Sequence, residues 1–222
     1  MDNKKKVLVI LPAFNESVVI ASVIRKLRKE GFKNILVVDD CSKDETPNIA
    51  KKEGAIVLKH LINRGAGAAT ATGIEYGRKH NYDYSIIMDS DGQHSTDDAK
   101  KLLTFASKYD VVIGSRLIDL QNMPFQRKIA NFIGSLVTYL FFGLYLKDSQ
   151  TGFKVLNKKA MSMIKIRFDR YEFCSEMAGE IHKNKLSYKE VPIKVIYTDH
   201  SIQKGQTIGN GFRMVLRFIF RI

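Results

Sequence analysis

Five short apolar runs, each followed by a polar turn and then by helical periodicity, constrain this chain more than anything else in it. The runs are 7–14 (VLVILPAF), 34–40 (NILVVDD), 56–61 (IVLKHL), 84–89 (YSIIMD) and 110–115 (DVVIGS). Near-continuous stretches of Val, Ile and Leu suit strands covered on both faces. Between them, 17–30 sets Val18, Ile20, Ala21, Ile24 and Leu27 at helical spacing. Residues 44–53 open on Asp44 as a cap, with Pro47 tolerated in the first turn, and 66–79 and 96–108 complete the series. Strand and helix in alternation predict an α/β fold: a mainly parallel, doubly wound, Rossmann-like sheet flanked by helices.

Sheets of this kind bind ligands outside the carboxyl ends of their strands. Polar residues follow every run: Asn15 and Glu16, Asp39 and Asp40, Asn63 and Arg64, Asp89 and Asp91, Ser115 and Arg116. A parallel sheet gathers all five sets on one rim.

The acidic pair in IIMDSDGQH (86–94) is the most demanding of these sets. Two carboxylates at the end of a buried run oppose each other through repulsion and desolvation. Alternate residues of an extended strand point to opposite faces. Both reach one cation only if the chain turns, which Gly92 permits. A hard divalent ion such as Mg²⁺ or Mn²⁺ takes oxygen ligands and shares them with substrate phosphates. The other reading of the pair is a solvated turn.

NRGAGAATATG at 63–73 carries small residues that allow close backbone approach, and Arg64 suits a phosphate or a base. It lacks the Gly-Lys-Ser/Thr of a Walker loop and does not follow the first strand as a dinucleotide fingerprint would. For Ala68 to Thr72, a tightly packed Ala/Gly helix is an equal reading.

Charge narrows the partners. The chain of 222 residues has 36 Lys+Arg against 23 Asp+Glu, a net +13, which favours polyanions: nucleic acid, an acidic membrane surface or phosphorylated substrates. A nucleic-acid module is disfavoured because the aromatics are not interleaved with Lys and Arg as on a stacking platform. Cys41 and Cys174 lie far apart without metal-ligand spacing, which points to a reducing compartment rather than a disulfide framework. The apolar run after the basic start is broken by Pro12, Asn15 and Glu16, so it reads as a strand rather than a signal peptide.

The second half is less regular. Residues 129–146 (IANFIGSLVTYLFFGLYL) carry no charge, and Asn131, Ser135 and Thr138 dilute them. A buried or interfacial helix at 126–146 fits better than a spanning one. The stretch KDSQTGFKVLNKKA reads as a loop, followed by a short helix near 158–164, a helix at 171–184 and a strand at 189–197. A loop at 198–207 leads to the tail at 209–222, where Arg213, Arg217 and Arg221 form a basic stripe opposite Met214, Val215, Phe218, Ile219 and Ile222. That pattern suits an anionic membrane surface. No repeat or linker divides the chain, so 1–222 reads as one domain.

Six motifs in order carry a resemblance: LPAFNE (11–16), VVDDCSKDET (37–46), NRGAGAA (63–69), MDSDGQH (88–94), GSR (114–116) and DSQTGFK (148–154). Together they resemble family 2 glycosyltransferases of the GT-A fold, nearest to the dolichyl- or polyprenyl-phosphate sugar synthases. The likeness runs from about residue 7 to 160. It implies an inverting, metal-dependent transfer from a UDP- or GDP-sugar to a lipid phosphate, on the cytoplasmic face of a membrane. On that resemblance Pro12, Phe14 and Glu16 hold the nucleoside, Asp39 and Asp40 contact base and ribose, and Arg64 lies near the base. Asp89 and Asp91, helped by Gln93, hold Mg²⁺ or Mn²⁺ on the diphosphate, while Arg116 and Arg127 face the acceptor phosphate. His200 and Lys204, in a loop where the synthases carry Arg before Gly-x-Ser-Lys, supply diphosphate or acceptor contacts. Asn131 stands where those enzymes have Ser. The alternative is a transferase extending a glycan hydroxyl, which needs a base; Glu176 in YEFCSEM is the candidate. Its other reading is an exposed helix carboxylate paired with Lys183 or Arg170.

Overall fold

The computed structural model describes residues 5–116 and 125–194, with backbone alone over 125–131. Its centre is a seven-stranded sheet in the order β3-β2-β1-β4-β6-β5-β7. The strands are β1 (Val7–Ala13), β2 (Asn34–Asp39), β3 (Ile56–Lys59), β4 (Tyr84–Ile87), β5 (Val111–Ser115), β6 (Lys154–Asn157) and β7 (Tyr188–Pro192). The helices are α1 (Ile20–Lys29), α2 (Thr46–Lys52), α3 (Ala66–Lys79), α4 (Thr96–Phe105), α5 (Phe125–Phe142), α6 (Lys158–Met163) and α7 (Phe173–Lys183).

The expected parallel sheet is present, and alternation along each strand feeds two cores. Val9 and Leu11 of β1 pack with Ile20, Ile24, Ala99 and Leu102 of α1 and α4 on one face. Leu8 and Ile10 pack with Ala69, Ile74, Met177 and Ile181 of α3 and α7 on the other. Side chains of this size stabilise by about 1.5–3 kcal/mol each when fully buried.

Several local expectations change. Glu45, not Asp44, occupies the N-cap of α2. The Asp44 carboxylate instead accepts from Thr46 N–H (3.0 Å) and Ser17 N–H (3.1 Å), tying the loop after β2 to the loop after β1. The stretch expected as a loop at 147–160 contains β6, which enters antiparallel between β4 and β5, with Lys154 opposite both Ile87 and Ile113. The last strand ends at Pro192, and the basic tail at 209–222 lies outside the described residues. Both cysteines are free thiols. Among the described residues no helix is long and apolar enough to cross a membrane.

The helix expected at 126–146 runs from Phe125 to Phe142 and is turned inside out. Ser135 and Thr138 are buried, whereas Phe132, Ile133, Leu136, Tyr139 and Leu140 are exposed. The inward face is held by hydroxyls: Thr138 Oγ1 lies 2.8 Å from Ser175 Oγ on α7 and 3.1 Å from Ser149 Oγ.

Candidate active site

Parallel strands β1 to β5 bring their carboxyl ends to one rim, as the alternation predicted. At the end of β4 the chain turns through Ser90 to Gly92, and Gly92 adopts φ +78°. Ser90 donates to the Pro12 carbonyl (2.7 Å), which pins the turn to β1. The Asp89 side chain is about half exposed, 50%, and opens onto the rim. His94 Nε2 lies 3.1 Å from Asp89 Oδ2. The far side of the carboxylate rests on Gly152, where a Cβ would stand 2.3 Å from Oδ1. Burial works against charge on Asp89, but the His94 hydrogen bond and the charges of His94, Arg116 and Lys154 outweigh it, so its carboxyl lies below the ordinary range. Asp91 accepts from the Gln93 backbone N–H (2.9 Å), which closes the turn.

Arg116, at the end of β5, is held away from solvent by a partner 32 residues on. Its Nε and Nη2 donate to the two oxygens of Asp148 at 2.7 and 2.8 Å, and its backbone N–H adds a third bond at 2.9 Å. Burial opposes the guanidinium charge, but Asp148 overcomes it and keeps Arg116 above its ordinary value. The same fork keeps Asp148 low against its own burial. Such a bidentate pair fixes orientation as well as charge. Beside it, β6 inserts Lys154, whose side chain is 1% exposed. The Lys154 ammonium donates to the Thr151 carbonyl and lies 5.9 Å from the centroid of the Phe173 ring.

The two acids after β2 divide their tasks. Asp39 is fully buried; Oδ2 accepts from Ser42 N–H (3.2 Å), while Oδ1 finds no hydrogen-bond partner among the described residues. Asp40 is committed to the loop after β3. Oδ1 meets His60 Nδ1 (2.8 Å) and accepts from Arg64 N–H (3.0 Å), and Oδ2 accepts from Gly65 N–H (2.6 Å). His60 Nε2 reaches Thr72 Oγ1 at 3.0 Å. Arg64 itself turns to Asp169, with Nη2 to Oδ1 at 2.8 Å. The Asp169 carbonyl accepts from Ala68 N–H at 3.0 Å. Oxygens of Asp40 and Asp169 therefore take two of the N–H groups at the start of α3.

Of the residues expected at the nucleoside, Pro12 and Phe14 lie on the same rim, Phe14 with its ring 41% exposed, and Glu16 is buried with its N–H donating to Thr46 Oγ1 (2.7 Å). Glu176 is neither exposed nor paired with Lys183 or Arg170. It is buried on α7, and Oε2 accepts from Arg167 N–H (2.8 Å) and Phe168 N–H (3.0 Å). Lys183 approaches Glu180 instead, at 3.9 Å. Burial pushes the Glu176 carboxyl up, beyond what those N–H groups pull back. Tyr171, just beyond that segment, is about half exposed, and its hydroxyl is pushed up by partial burial and by the charges of Asp89 and Asp91. Arg127 falls on α5, where only backbone is described; His200 and Lys204 lie outside the described residues.

Among the described residues no group of three or more His, Cys, Asp and Glu gathers into a metal cage. A closed structural zinc site is therefore not built there. Two rim carboxylates with an open side fit a hard divalent ion that completes its shell from water and phosphate. Gly152, Lys154, Asp148, Asp169 and His60 were not foreseen as site residues. Three of them lie inside the DSQTGFK motif, which was the available signal; Asp169 and His60 had none.

The seven-stranded, mainly parallel sheet with its acidic rim is of the GT-A type. Glucosyl-3-phosphoglycerate synthase from Mycobacterium tuberculosis, solved with Mn²⁺, UDP and glucosyl-3-phosphoglycerate, superposes with a TM-score of 0.75 at 15% identity over 98% of this chain and 80% of that one. The family model described as Glycosyl transferase family 2 matches residues 8–165, and the chain belongs to that family. A UDP-N-acetylglucosamine–dolichyl-phosphate N-acetylglucosaminyltransferase of Methanococcus voltae is 35% identical over 97% of this chain and 95% of its own length. An undecaprenyl-phosphate mannosyltransferase of Micrococcus luteus is 29% identical over 96% and 93%.

Proposed function

We propose that this enzyme transfers a sugar, with inversion at the anomeric carbon, from a UDP- or GDP-sugar to a polyprenyl or dolichyl phosphate at the cytoplasmic face of a membrane. The observation that carries the reading is Asp89, a half-open carboxylate locked between His94 and Gly152 at the carboxyl end of β4, beside the turn that presents Asp91. These two acids would hold Mg²⁺ or Mn²⁺, assisted by Gln93. A divalent ion there supplies positive charge for the departing nucleoside diphosphate.

The bond from the anomeric carbon to the diphosphate oxygen breaks as an acceptor phosphate oxygen forms the new one from the opposite face. That acceptor is already anionic, so the chain has to orient it and exclude water rather than remove a proton. Arg116, fixed by Asp148, and Arg127 are the cations proposed for it. A hydroxyl acceptor would need a base, and the raised carboxyl of Glu176 has the tuning for one. The two backbone N–H groups on its Oε2 favour a structural role.

The inside-out helix α5 supports action at a lipid surface. A row of exposed Phe, Ile, Leu and Tyr above a buried hydroxyl seam is the reverse of a water-facing helix. The two relatives named for lipid phosphates support the same acceptor.

The reading is tested by melting the protein with UDP, GDP and their sugars, with and without Mn²⁺, and by following labelled sugar into a short polyprenyl phosphate. Stabilisation by one diphosphate, lost with chelator and in Asp91→Asn, together with label in the lipid, is expected. Stabilisation that ignores both changes, or label only in a glycan, would overturn it.

A further inference from the structure

Lys154 is the least expected side chain near the rim. A lysine on a central strand, 1% exposed, has lost its water. Its ammonium receives one carbonyl and the face of one ring in return. No ion pair to it forms among the described residues. An uncompensated buried ammonium is strongly unfavourable, so its charge must be balanced at longer range.

The balance is local. Arg116 and Asp148 neutralise each other through their fork. Asp89 lies against the same turn, its carboxylate resting on Gly152, the residue next to the carbonyl that Lys154 holds. Register puts Lys154 beside both β4 and β5, directly beneath their carboxyl ends. The Lys154 ammonium thus sits under the acidic pair, and unlike a metal it cannot leave.

We propose that Lys154 tunes the rim to prefer a metal-bound diphosphate over a bare divalent cation. This rests on the proposed nucleotide-sugar reaction. A free nucleoside diphosphate carries more negative charge than one divalent ion cancels, so its metal complex is an anion, whereas the complex of the esterified donor is about neutral. A fixed positive charge beneath the site attracts that anion and repels the bare ion. Removing the charge therefore shifts the two affinities in opposite directions, whereas loss of a structural contact weakens both. Lys154 acts here as a positioning residue, through field rather than touch.

Lys154→Gln keeps a hydrogen-bond donor toward the Thr151 carbonyl without the charge; Lys154→Met removes both. Mn²⁺ affinity is read from the free-ion spin resonance signal, and UDP and GDP affinity by calorimetry at saturating Mn²⁺. Both variants should bind Mn²⁺ several-fold more tightly and the diphosphate about tenfold more weakly, the order of one unit charge in a partly wetted site. Weakening of both ligands, a wild-type-like Gln variant beside a damaged Met variant, or failure of both variants to fold would make the role structural and overturn the inference. Wild-type protein that binds neither diphosphate would instead refute the reaction on which it rests.

Discussion

Replacing Gly152 by Ala tests whether the placement of Asp89 matters apart from its charge. The backbone at Gly152 lies outside the left-handed region, so alanine brings no backbone strain there. Its Cβ would stand 2.3, 2.6 and 2.7 Å from Oδ1, Oδ2 and Cγ of Asp89. Those atoms end a short side chain that can swing, and an off-rotamer carboxylate costs roughly 0.5–1.5 kcal/mol. The fold should survive with a melting temperature lower by about 1–6 °C. Ligand binding should not, because displacement of a charged group by about 1 Å can cost roughly 10²-fold. At a nucleotide concentration of 100 Kd with Mn²⁺, the wild type gains about 2.7 kcal/mol. That is a rise of roughly 5–10 °C for a chain of this size. A hundredfold weaker variant gains only about 0.4 kcal/mol under the same conditions, roughly 1 °C. Thermal melts of both proteins with and without UDP or GDP decide the matter. A full ligand-induced rise in Gly152→Ala would refute the argument that this contact sets the carboxylate.

Two further perturbations address the carboxylates that build the frame. Glu176→Gln keeps an oxygen for the N–H groups of Arg167 and Phe168, so labelled transfer to a polyprenyl phosphate should persist; loss of turnover in a protein of unchanged stability would make Glu176 a base. Because the folded state raises the Glu176 carboxyl, ionising it disfavours folding as pH rises above the ordinary glutamate range, and the Gln variant should gain on the wild type there in urea titrations. Asp110 behaves oppositely. Burial opposes its charge, but Asn157, Ser187 and Lys159 lower it to about 2. Its stabilisation, about 2 kcal/mol, is present above the unfolded value and fades as pH falls toward 2. Asp110→Asn should be less stable by about that amount at pH 6 and nearly equal at pH 2; a gap that stays constant with pH would contradict this.

The parallel sheet was legible because strands buried on both faces need continuous apolar runs, and β1, β2, β4 and β5 have them. Strand β6 was not, since four residues reading KVLN carry a lysine and an asparagine that suggest a loop. The lysine fits only because of neighbours on β4 and β5 that no local pattern reveals. The acidic rim was legible as a set of residues but not as a division of labour. Nothing in VVDD tells which aspartate faces a ligand and which closes on the backbone of Arg64 and Gly65; that depends on a loop 25 residues away. Arg116 was visible in GSR, but its partner Asp148 emerges only once β6 has been threaded beside β5. The uncharged helix was recognised, yet which face points outward is decided by the hydroxyl seam it shares with Ser149 and Ser175.

The partly capped start of α3 has a consequence for how such an enzyme is supplied. Many phosphate-handling folds leave a helix N-terminus bare, so a permanent dipole greets the ligand. Here the carbonyl of Asp169 and the carboxylate of Asp40 already take the N–H groups of Ala68 and Gly65. Under the proposed reaction, the leaving group then draws little from that helix end, and a dissolved divalent ion has to add to the fixed charges of Arg116 and Lys154. Turnover would follow the availability of free divalent ions in the surrounding fluid.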